Sequence, residues 1–252
     1  MPLTIDFSGQ TVIISGGNRG IGAAIAETFA EAGANIALLY NTGETEASLH
    51  ASSLEQKFKV TVKPYQCDTT VPARSAEVIA QAAQDFGRLD VLVCNAGVCK
   101  HIDAVDTPEE IVDWTLGVNV KVKYARTGGQ IINTPQRQAI YNAYHRLYTH
   151  TLAATQLVKA FAFEWAEHNI RVNAVSPGYV ETEMTAMGNQ EMQKVWLERT
   201  PLKRMASPAE IGKSVAFLVP HSERIVNLYD RVGAIGGWRI LVSDSTSYLG
   251  KP

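Results

Sequence analysis

The sequence has 252 residues, of which 46% are hydrophobic and 19% charged, with a formal net charge of −2 and an isoelectric point near 6.3. No shift in composition divides it, so we expect residues 1–252 to form one large α/β domain with a substantial core. The near-neutral charge and the scattered basic residues argue against nucleic acid or an anionic membrane as a partner.

The amino terminus and the cysteines give expectations about cellular location. Residues 1–3 lack the charged and apolar regions of a signal peptide, and no apolar run reaches bilayer-spanning length. We therefore expect a cytoplasmic protein without membrane contact. The cysteines Cys67, Cys94 and Cys99 are odd in number and lie at or beside predicted strand ends. This pattern favours reduced packing thiols over a disulfide framework or a metal site.

A glycine-rich turn follows the first predicted strand. Residues 11–14 form a short apolar run, residues 15–22 read Ser-Gly-Gly-Asn-Arg-Gly-Ile-Gly, and an amphipathic helix pattern follows. Gly16, Gly20 and Gly22 allow positive φ and let a phosphate approach without a Cβ in the way, and the helix start offers unpaired N–H groups. The spacing predicts a pyrophosphate cradle, with an ordinary strand-to-helix turn as the alternative.

Strand and helix patterns then alternate as far as residue 97. Strands are predicted at residues 35–40, 61–68 and 89–94, and helices at 43–59 and 74–86. This alternation predicts a parallel sheet with helices on both faces. Asn95-Ala96-Gly97 forms a tight turn at the carboxyl end of the fourth strand, where open α/β sheets place ligands.

Four motifs together resemble the short-chain dehydrogenase/reductase family. They are the glycine turn, Asp68 after the third strand, residues 95–97, and residues 171–178, which read Arg-Val-Asn-Ala-Val-Ser-Pro-Gly. The resemblance covers residues 5–121 and 129–218 and is greatest to fungal NADP-linked sorbose/mannitol-type reductases. It implies a Rossmann-like, doubly wound parallel sheet in three αβα layers. It also implies a nicotinamide cofactor and a small-molecule substrate, with hydride transfer between a ketone or ketose and a secondary alcohol or polyol.

The end of the second strand bears on the choice of cofactor. NAD-binding proteins usually place a carboxylate there, but this chain has Tyr40-Asn41-Thr42, and Arg19 in the glycine turn could pair with a 2′-phosphate. We therefore expect NADP(H) rather than NAD(H), with a solvated loop cation as the alternative role for Arg19. In relatives, the residues matching Asp68 and Asn95 contact the adenine and its ribose. Those matching Pro177, Gly178 and Thr182 border the nicotinamide. The predicted cofactor-binding residues are Gly16, Asn18, Arg19, Gly20, Ile21, Gly22, Tyr40, Asn41, Asp68, Asn95, Ala96, Gly97, Pro177, Gly178, Val180 and Thr182.

The middle of the chain departs from the family pattern. Relatives use an Asn, a Ser, a Tyr and, four residues after the Tyr, a Lys whose charge lowers the pKa of the phenol across one helix face. Asn119 and Tyr141 match the first and third, but the fourth position holds His145, which lacks a permanent charge at neutral pH. We predict that Tyr141 is the acid/base, Asn119 holds a proton-relay water, and His145 stands in for Lys. A second alignment frame places the Tyr position at Leu147, beside Tyr148, and supplies no base.

The catalytic Ser and the strand that carries it in relatives have no clear counterpart. Only residues 121–128 separate Val120 from Gly129, too few for a crossover helix and its parallel strand. The alignment puts Arg126 at the Ser position with Thr127 beside it, and residues 130–133 could form a stunted strand. We therefore expect one central strand to be missing and keep two functions open: an oxidoreductase, and a catalytically weak or inactive dinucleotide-binding homologue.

The last third of the chain is predicted to carry a substrate lid. A helix is expected at residues 156–165, a strand at 170–176 and the lid at 181–212, within which Ser207 caps a helix and Pro208 takes its first position. Residues 219–240 have no family counterpart, and the family's last edge strand is expected to be missing. The resemblance also implies a homo-oligomer.

Overall fold

The computed structural model describes residues 5–100, 102, 106–121, 137–142, 148–165, 168, 170–219, 226–227 and 243–244. Several residues named in the predictions lie outside these ranges, among them Arg126, Thr127, His145 and Leu147.

A six-stranded parallel sheet forms the centre of the fold. Its strands are β1 (Thr11–Ser15), β2 (Asn35–Tyr40), β3 (Val62–Gln66), β4 (Val91–Cys94), β5 (Arg137–Asn142) and β6 (Ile170–Val175). Their order is β3-β2-β1-β4-β5-β6, so the connections reverse direction between β1 and β4. Short runs rich in Val, Ile and Leu suit strands that are buried on both faces. The predicted Rossmann-like α/β fold is confirmed.

Helices connect the strands, as the alternating pattern predicts. They are α1 (Gly20–Glu31), α2 (Glu44–Phe58), α3 (Pro72–Phe86), α4 (Glu109–Leu116), α5 (Tyr148–Glu164), α6 (Glu183–Ala186), α7 (Gln190–Arg199) and α8 (Pro208–Phe217). A π-helical turn, Gly117–Lys121, follows α4 directly. Ser207 caps α8 through its side chain, with Pro208 in the first turn, as predicted.

Alternate residues of each strand face two different helical layers. Val12 and Ile14 of β1 belong to a core that also contains Ile25 of α1 and Ile211 of α8. Ile13 between them belongs to a second core with Val78 of α3. On the same face as Ile13, β6 packs against Val158, Phe161 and Ala162 of α5. The sheet is therefore covered on both sides, in three layers.

The central strand that we expected to be missing is present. Arg137–Asn142 lies between β4 and β6, with Val91 opposite Gln138 and Ala139 opposite Val172. A gap at this place would leave the facing N–H and C=O groups of β4 and β6 without hydrogen-bond partners inside the protein. Residues 137–142 provide these partners. The expectation was wrong because the strand forms from residues 137–142, beyond both residues 121–128 and the stunted strand considered at residues 130–133.

The carboxyl-terminal part of the chain adds a short separate ladder. Within the described residues, no strand extends the sheet beyond β6, and β7 (Val226–Asn227) pairs antiparallel with β8 (Ser243–Asp244). None of the helices in the described ranges combines the length and hydropathy that crossing a lipid bilayer requires. Cys67 is buried, and Cys94 and Cys99 are half-buried.

Candidate functional site

The candidate site lies where the strand order reverses. The glycine turn leaves the carboxyl end of β1, and residues 95–97 leave the carboxyl end of the neighbouring β4. In open α/β sheets this crevice is the usual place for a ligand.

The glycines of the turn are required by its conformation and by close approach. Gly16 and Gly20 have φ values of +64° and +55°, a region that other residues rarely adopt. A Cβ on Gly22 would collide with the carbonyl oxygen of Gly16 and lie 2.6 Å from Nδ2 of Asn95. A Cβ on Gly16 would lie 3.3 Å from Cα of Ala96. The start of α1 therefore sits directly against both loops of the crevice.

The amino terminus of α1 presents backbone donors to this crevice. The hydrogen bond from Ala23 N to Arg19 O, 3.2 Å long, is at the first turn. The N–H groups of Gly20, Ile21 and Gly22 precede it and have no partner within an α-helix. Arg19, at the N-cap, makes no side-chain capping bond, and the first turn holds no acidic residue. Ile21 contributes only its backbone, since its side chain is 2% exposed. This arrangement fits an anion such as a diphosphate.

A buried hydrogen-bond network holds the two loops together. The hydroxyl of Ser15 accepts from the N–H groups of Asn95 and Ala96, both at 3.0 Å. Asn95 Nδ2 donates to the carbonyl oxygens of Ser15 and Gly16, at 3.0 and 3.3 Å. The Asn95 side chain is 4% exposed, so it shapes the site from beneath.

The end of β2 is polar, and one acidic side chain returns to it. Asn18 Nδ2 donates to Thr42 O at 3.0 Å, and Asn41 is exposed. Tyr40 is buried at 6% exposure, and desolvation, followed by the charge of Glu44, raises the pKa of its phenol. A Cβ on Gly43 would lie 3.0 Å from Oε2 of Glu46 and 3.1 Å from Nδ2 of Asn18, so both polar atoms flank the same space.

Glu46 was not among the predicted site residues, because it lies beyond the residues that end the strand. The missed signal was a Glu three residues after Gly43, the N-cap of α2. An acid at this position commonly turns back toward the start of its own helix.

Asp68 and Asn119 both stabilise loops at this edge of the sheet. One carboxylate oxygen of Asp68 accepts from the backbone N–H and the hydroxyl of Thr70, at 2.9 and 2.7 Å. Asn119, in the π-helical turn, accepts from Val98 N and donates to Val98 O, both at 2.9 Å. Asn119 is 4% exposed. Its two hydrogen bonds to Val98 hold the chain that follows residues 95–97.

The segment after β6 closes one side of the crevice. Pro177 is buried, and a Cβ on Gly178 would meet open space. Val180 is 3% exposed and pairs with Ala206 in a single parallel bridge at the base of the predicted lid. Thr182 Cγ2 would lie 3.6 Å from a Cβ on Gly20, so Thr182 lies against the glycine turn.

The predicted lid is anchored by aromatic packing at its base. The rings of Tyr179 and Trp196, from the segment after β6 and from α7, stack with centroids 4.8 Å apart. A Cβ on Gly188 would lie 2.5 Å from Cη2 of Trp196. Trp196 therefore packs α7 against Tyr179 and against the loop at Gly188.

Tyr141 does not lie on a helix, which corrects our expectation. It is part of β5, opposite Cys94 of β4 and Ala174 of β6. Residues four apart are neighbours on a helix, whereas Tyr141 lies on a strand, so the helical reason for pairing Tyr141 with His145 does not apply. The strand pairing of β5 overrides the helix pattern. Tyr148 of the second alignment frame is the first residue of α5.

The described residues bring several of the predicted cofactor positions together, with the residue roles still predictions. The glycine turn, residues 95–97 and Thr182 surround one crevice, and Tyr141 lies one residue before the carboxyl end of β5. A dinucleotide fits the space left by the missing side chains of Gly16, Gly20 and Gly22, the N–H donors at the start of α1, and the open space at Gly178. Within the described ranges, no group of three or more His, Cys, Asp or Glu side chains is placed to hold a metal ion.

Comparison with protein families supports this interpretation of the fold. The family model described as "Enoyl-(Acyl carrier protein) reductase" matches residues 16–228. The chain is 34% identical over 237 residues to a sorbose reductase from Candida albicans, an alignment covering 85% of this chain and 82% of that protein. It is 30% identical over 253 residues to an NADH-dependent L-xylulose reductase from Ambrosiozyma monospora, covering 87% of this chain and 91% of that one.

A solved structure shares the fold at comparable coverage. It is the L-sorbose reductase from Gluconobacter frateurii in complex with NADPH and L-sorbose, with a TM-score of 0.78 and 27% identity. The match covers 87% of this chain and 93% of that one.

Proposed function

The chain belongs to the short-chain dehydrogenase/reductase family, and on that premise we propose that it is an NADP(H)-dependent oxidoreductase. We propose that it interconverts a ketone or ketose with a secondary alcohol or polyol. The observation that carries the proposal is the cradle in which a Cβ on Gly22 would collide with Gly16 while the start of α1 presents its N–H groups. The sorbose and xylulose reductases among its relatives support the substrate class.

Different residues of the crevice would contact different parts of the cofactor. The N–H groups of Gly20, Ile21 and Gly22 would hold the diphosphate, supported by the positive end of the α1 dipole. Asp68 and Asn95 border the adenosine part, while Pro177, Gly178, Val180 and Thr182 border the nicotinamide. The nicotinamide ring supplies or accepts the hydride when the cofactor is bound.

Cofactor choice depends on two opposing charges. Arg19 is exposed in the glycine turn and would pair with a 2′-phosphate, whereas the carboxylate of Glu46 near Gly43 would repel it. The relatives include an NADH-dependent enzyme, and one solved relative holds NADPH. We propose NADP(H) because residues 40–42 contain no acid and because Arg19 supplies a cation in the turn itself.

We propose that Tyr141 exchanges a proton with the substrate oxygen, with Asn119 supporting the relay water and His145 replacing the family Lys. The strand register supports this role, because Tyr141 is level with Cys94 and so reaches the carboxyl edge next to Asn95. Asn119 supports it because its side-chain amide accepts from the N–H of Val98 and donates to the carbonyl oxygen of Val98, which fixes the chain at this point.

The second candidate is a catalytically weak or inactive dinucleotide-binding protein. It is favoured by the position of Tyr141 in β5, where a residue four places later does not share a helix face with it. A phenol without a nearby permanent cation keeps a pKa near its ordinary value of about 10 and exchanges protons slowly at neutral pH.

Paired measurements of binding and turnover decide between the candidates. NADPH and NADH would be titrated against the protein by fluorescence, and turnover would be followed with sorbose, fructose and a diketone. We expect NADPH binding with ketose reduction that Tyr141→Phe lowers by at least about a hundredfold. Binding without turnover selects the inactive homologue, and absence of binding by either cofactor overturns both candidates.

We further propose that the protein works in the cytoplasm as a homo-oligomer acting on a small-molecule substrate. Its family membership supports an assembly of identical subunits. Sedimentation of the purified chain would test it, and a monomer at every concentration would contradict it.

A further inference from the structure

An ion pair joins the glycine turn to the start of the predicted lid. Arg19 Nη1 lies 3.9 Å from Glu183 Oε2, and the two side chains are 67% and 74% exposed. Glu183 directly follows Thr182, whose methyl carbon packs beside Gly20. Within the described part of the chain, neither side chain of this pair makes another hydrogen bond or ion pair.

Arg19 lies between two sides of the crevice. Its predecessor Asn18 points toward the end of β2, where it donates to Thr42 O. Its successor Gly20 lies against Thr182, on the opposite side. One guanidinium nitrogen of Arg19 faces Glu183, so this carboxylate and a phosphate at the end of β2 would draw on the same cation.

We propose that Glu183 is a specificity-determining residue, because its carboxylate competes with the 2′-phosphate of the cofactor for Arg19. The inference rests on the proposed function. NADPH offers Arg19 a doubly charged partner in exchange for Glu183, whereas NADH offers none at that position and leaves the ion pair intact. The competition therefore lowers the affinity for NADPH and does not alter the affinity for NADH.

The size of the effect follows from the exposure of the pair. The coupling energies that double-mutant cycles give for exposed ion pairs correspond to changes in affinity of about two- to fivefold. Salt screens such pairs and reduces these energies. We therefore expect Glu183→Gln to tighten NADPH binding about two- to fivefold at low salt. In an Arg19→Gln background the same change should have no effect, because the competitor has lost its target.

The test measures dissociation constants of NADPH and NADH for the wild type, both single variants and the double variant. Glu181→Gln is the matched control, since Glu181 is exposed two residues away and the change removes the same charge. Tighter binding of NADPH alone, absent in Glu181→Gln and in the double variant, supports the proposal.

Three results overturn it, and they separate it from the proposed function. Equal tightening of both cofactors, an equal gain in Glu181→Gln, or a gain that persists without Arg19 would each reject competition while leaving cofactor binding in place. Failure of the wild type to bind either cofactor would reject the proposed function and the inference together.

Discussion

Gly22 is the residue at which the site tolerates least change. Its missing side chain lets the first turn of α1 touch Gly16 and the amide of Asn95. We expect Gly22→Ala to push these groups apart, to lower stability by about 1–3 kcal/mol and to weaken NADPH binding more than about tenfold. Thermal melts and cofactor titrations measure both effects.

Gly117→Ala is the control for this variant, since a Cβ there meets nothing within 4 Å and the residue has an ordinary helical φ of −53°. Equal losses in the two variants would mean that the space at Gly22 has no special role.

Glu210 makes stability depend on pH. Its hydrogen bonds with Arg204, followed by that with the Ser207 backbone, lower the pKa of its carboxyl from 4.5 to about 2. A lowered pKa in the folded state stabilises the protein above the unfolded pKa, and this contribution is lost as pH falls through the folded value. We expect Glu210→Gln to melt below the wild type at pH 7, with the difference shrinking between about pH 5 and pH 2.

Glu198→Gln changes an exposed acid on α7 and is the control for Glu210→Gln, measured in the same pH series of thermal melts. A difference between wild type and Glu210→Gln that stays constant down to pH 2 would contradict the assignment.

At the scale of elements, β1 and β4 are joined at both ends by different side chains. At their amino ends, Asp90 is 6% exposed, accepts from Thr11 N at 2.8 Å and receives two hydrogen bonds from Arg88. At their carboxyl ends, Ser15 accepts from two N–H groups of residues 95–96. The strands are thus fixed together at the crevice and at the opposite edge.

These two junctions predict separable phenotypes. Ser15→Ala and Asp90→Ala each leave buried donors without their acceptor, so we expect each to cost about 1–3 kcal/mol of stability. Only Ser15→Ala should also weaken NADPH binding, because Asp90 lies at the opposite end of the strands from the crevice. Denaturant unfolding and cofactor titration of both variants check this, and weaker NADPH binding in Asp90→Ala would contradict it.

At the scale of the whole molecule, three apolar cores attach to one sheet. Strands β1, β2 and β4 contribute residues to more than one of these cores, so helices on either face share the same support. We propose that residues 1–252 behave as one domain. The chain should then unfold in a single cooperative transition.

The cofactor should move that transition as a whole. NADPH at a hundred times its dissociation constant would add about 2.7 kcal/mol of stability and raise the melting temperature by about 5–10 °C. Calorimetry with and without NADPH measures the shift. Two separate transitions, of which NADPH moves only one, would contradict the single-domain proposal.

The sequence by itself determined several local elements of this protein. Strand bounds at β2, the turn at residues 15–22 and the cap at Ser207 follow from local patterns, since glycine conformations, caps and short buried strands depend on neighbouring residues. The strand order then brings loops from separate strands to one crevice, as parallel topology requires.

Only the tertiary structure decided the role of Arg137–Asn142 and the charges around Arg19. A stretch that resembles a helical family motif becomes β5 because β4 and β6 present unpaired backbone groups that a strand satisfies. Likewise, Glu183 reaches Arg19, and Glu46 turns back toward Gly43, through contacts that depend on how helices pack and cap. The first contact joins residues that are far apart in sequence, and the second depends on the backbone conformation at the start of a helix, so a local sequence pattern does not specify either.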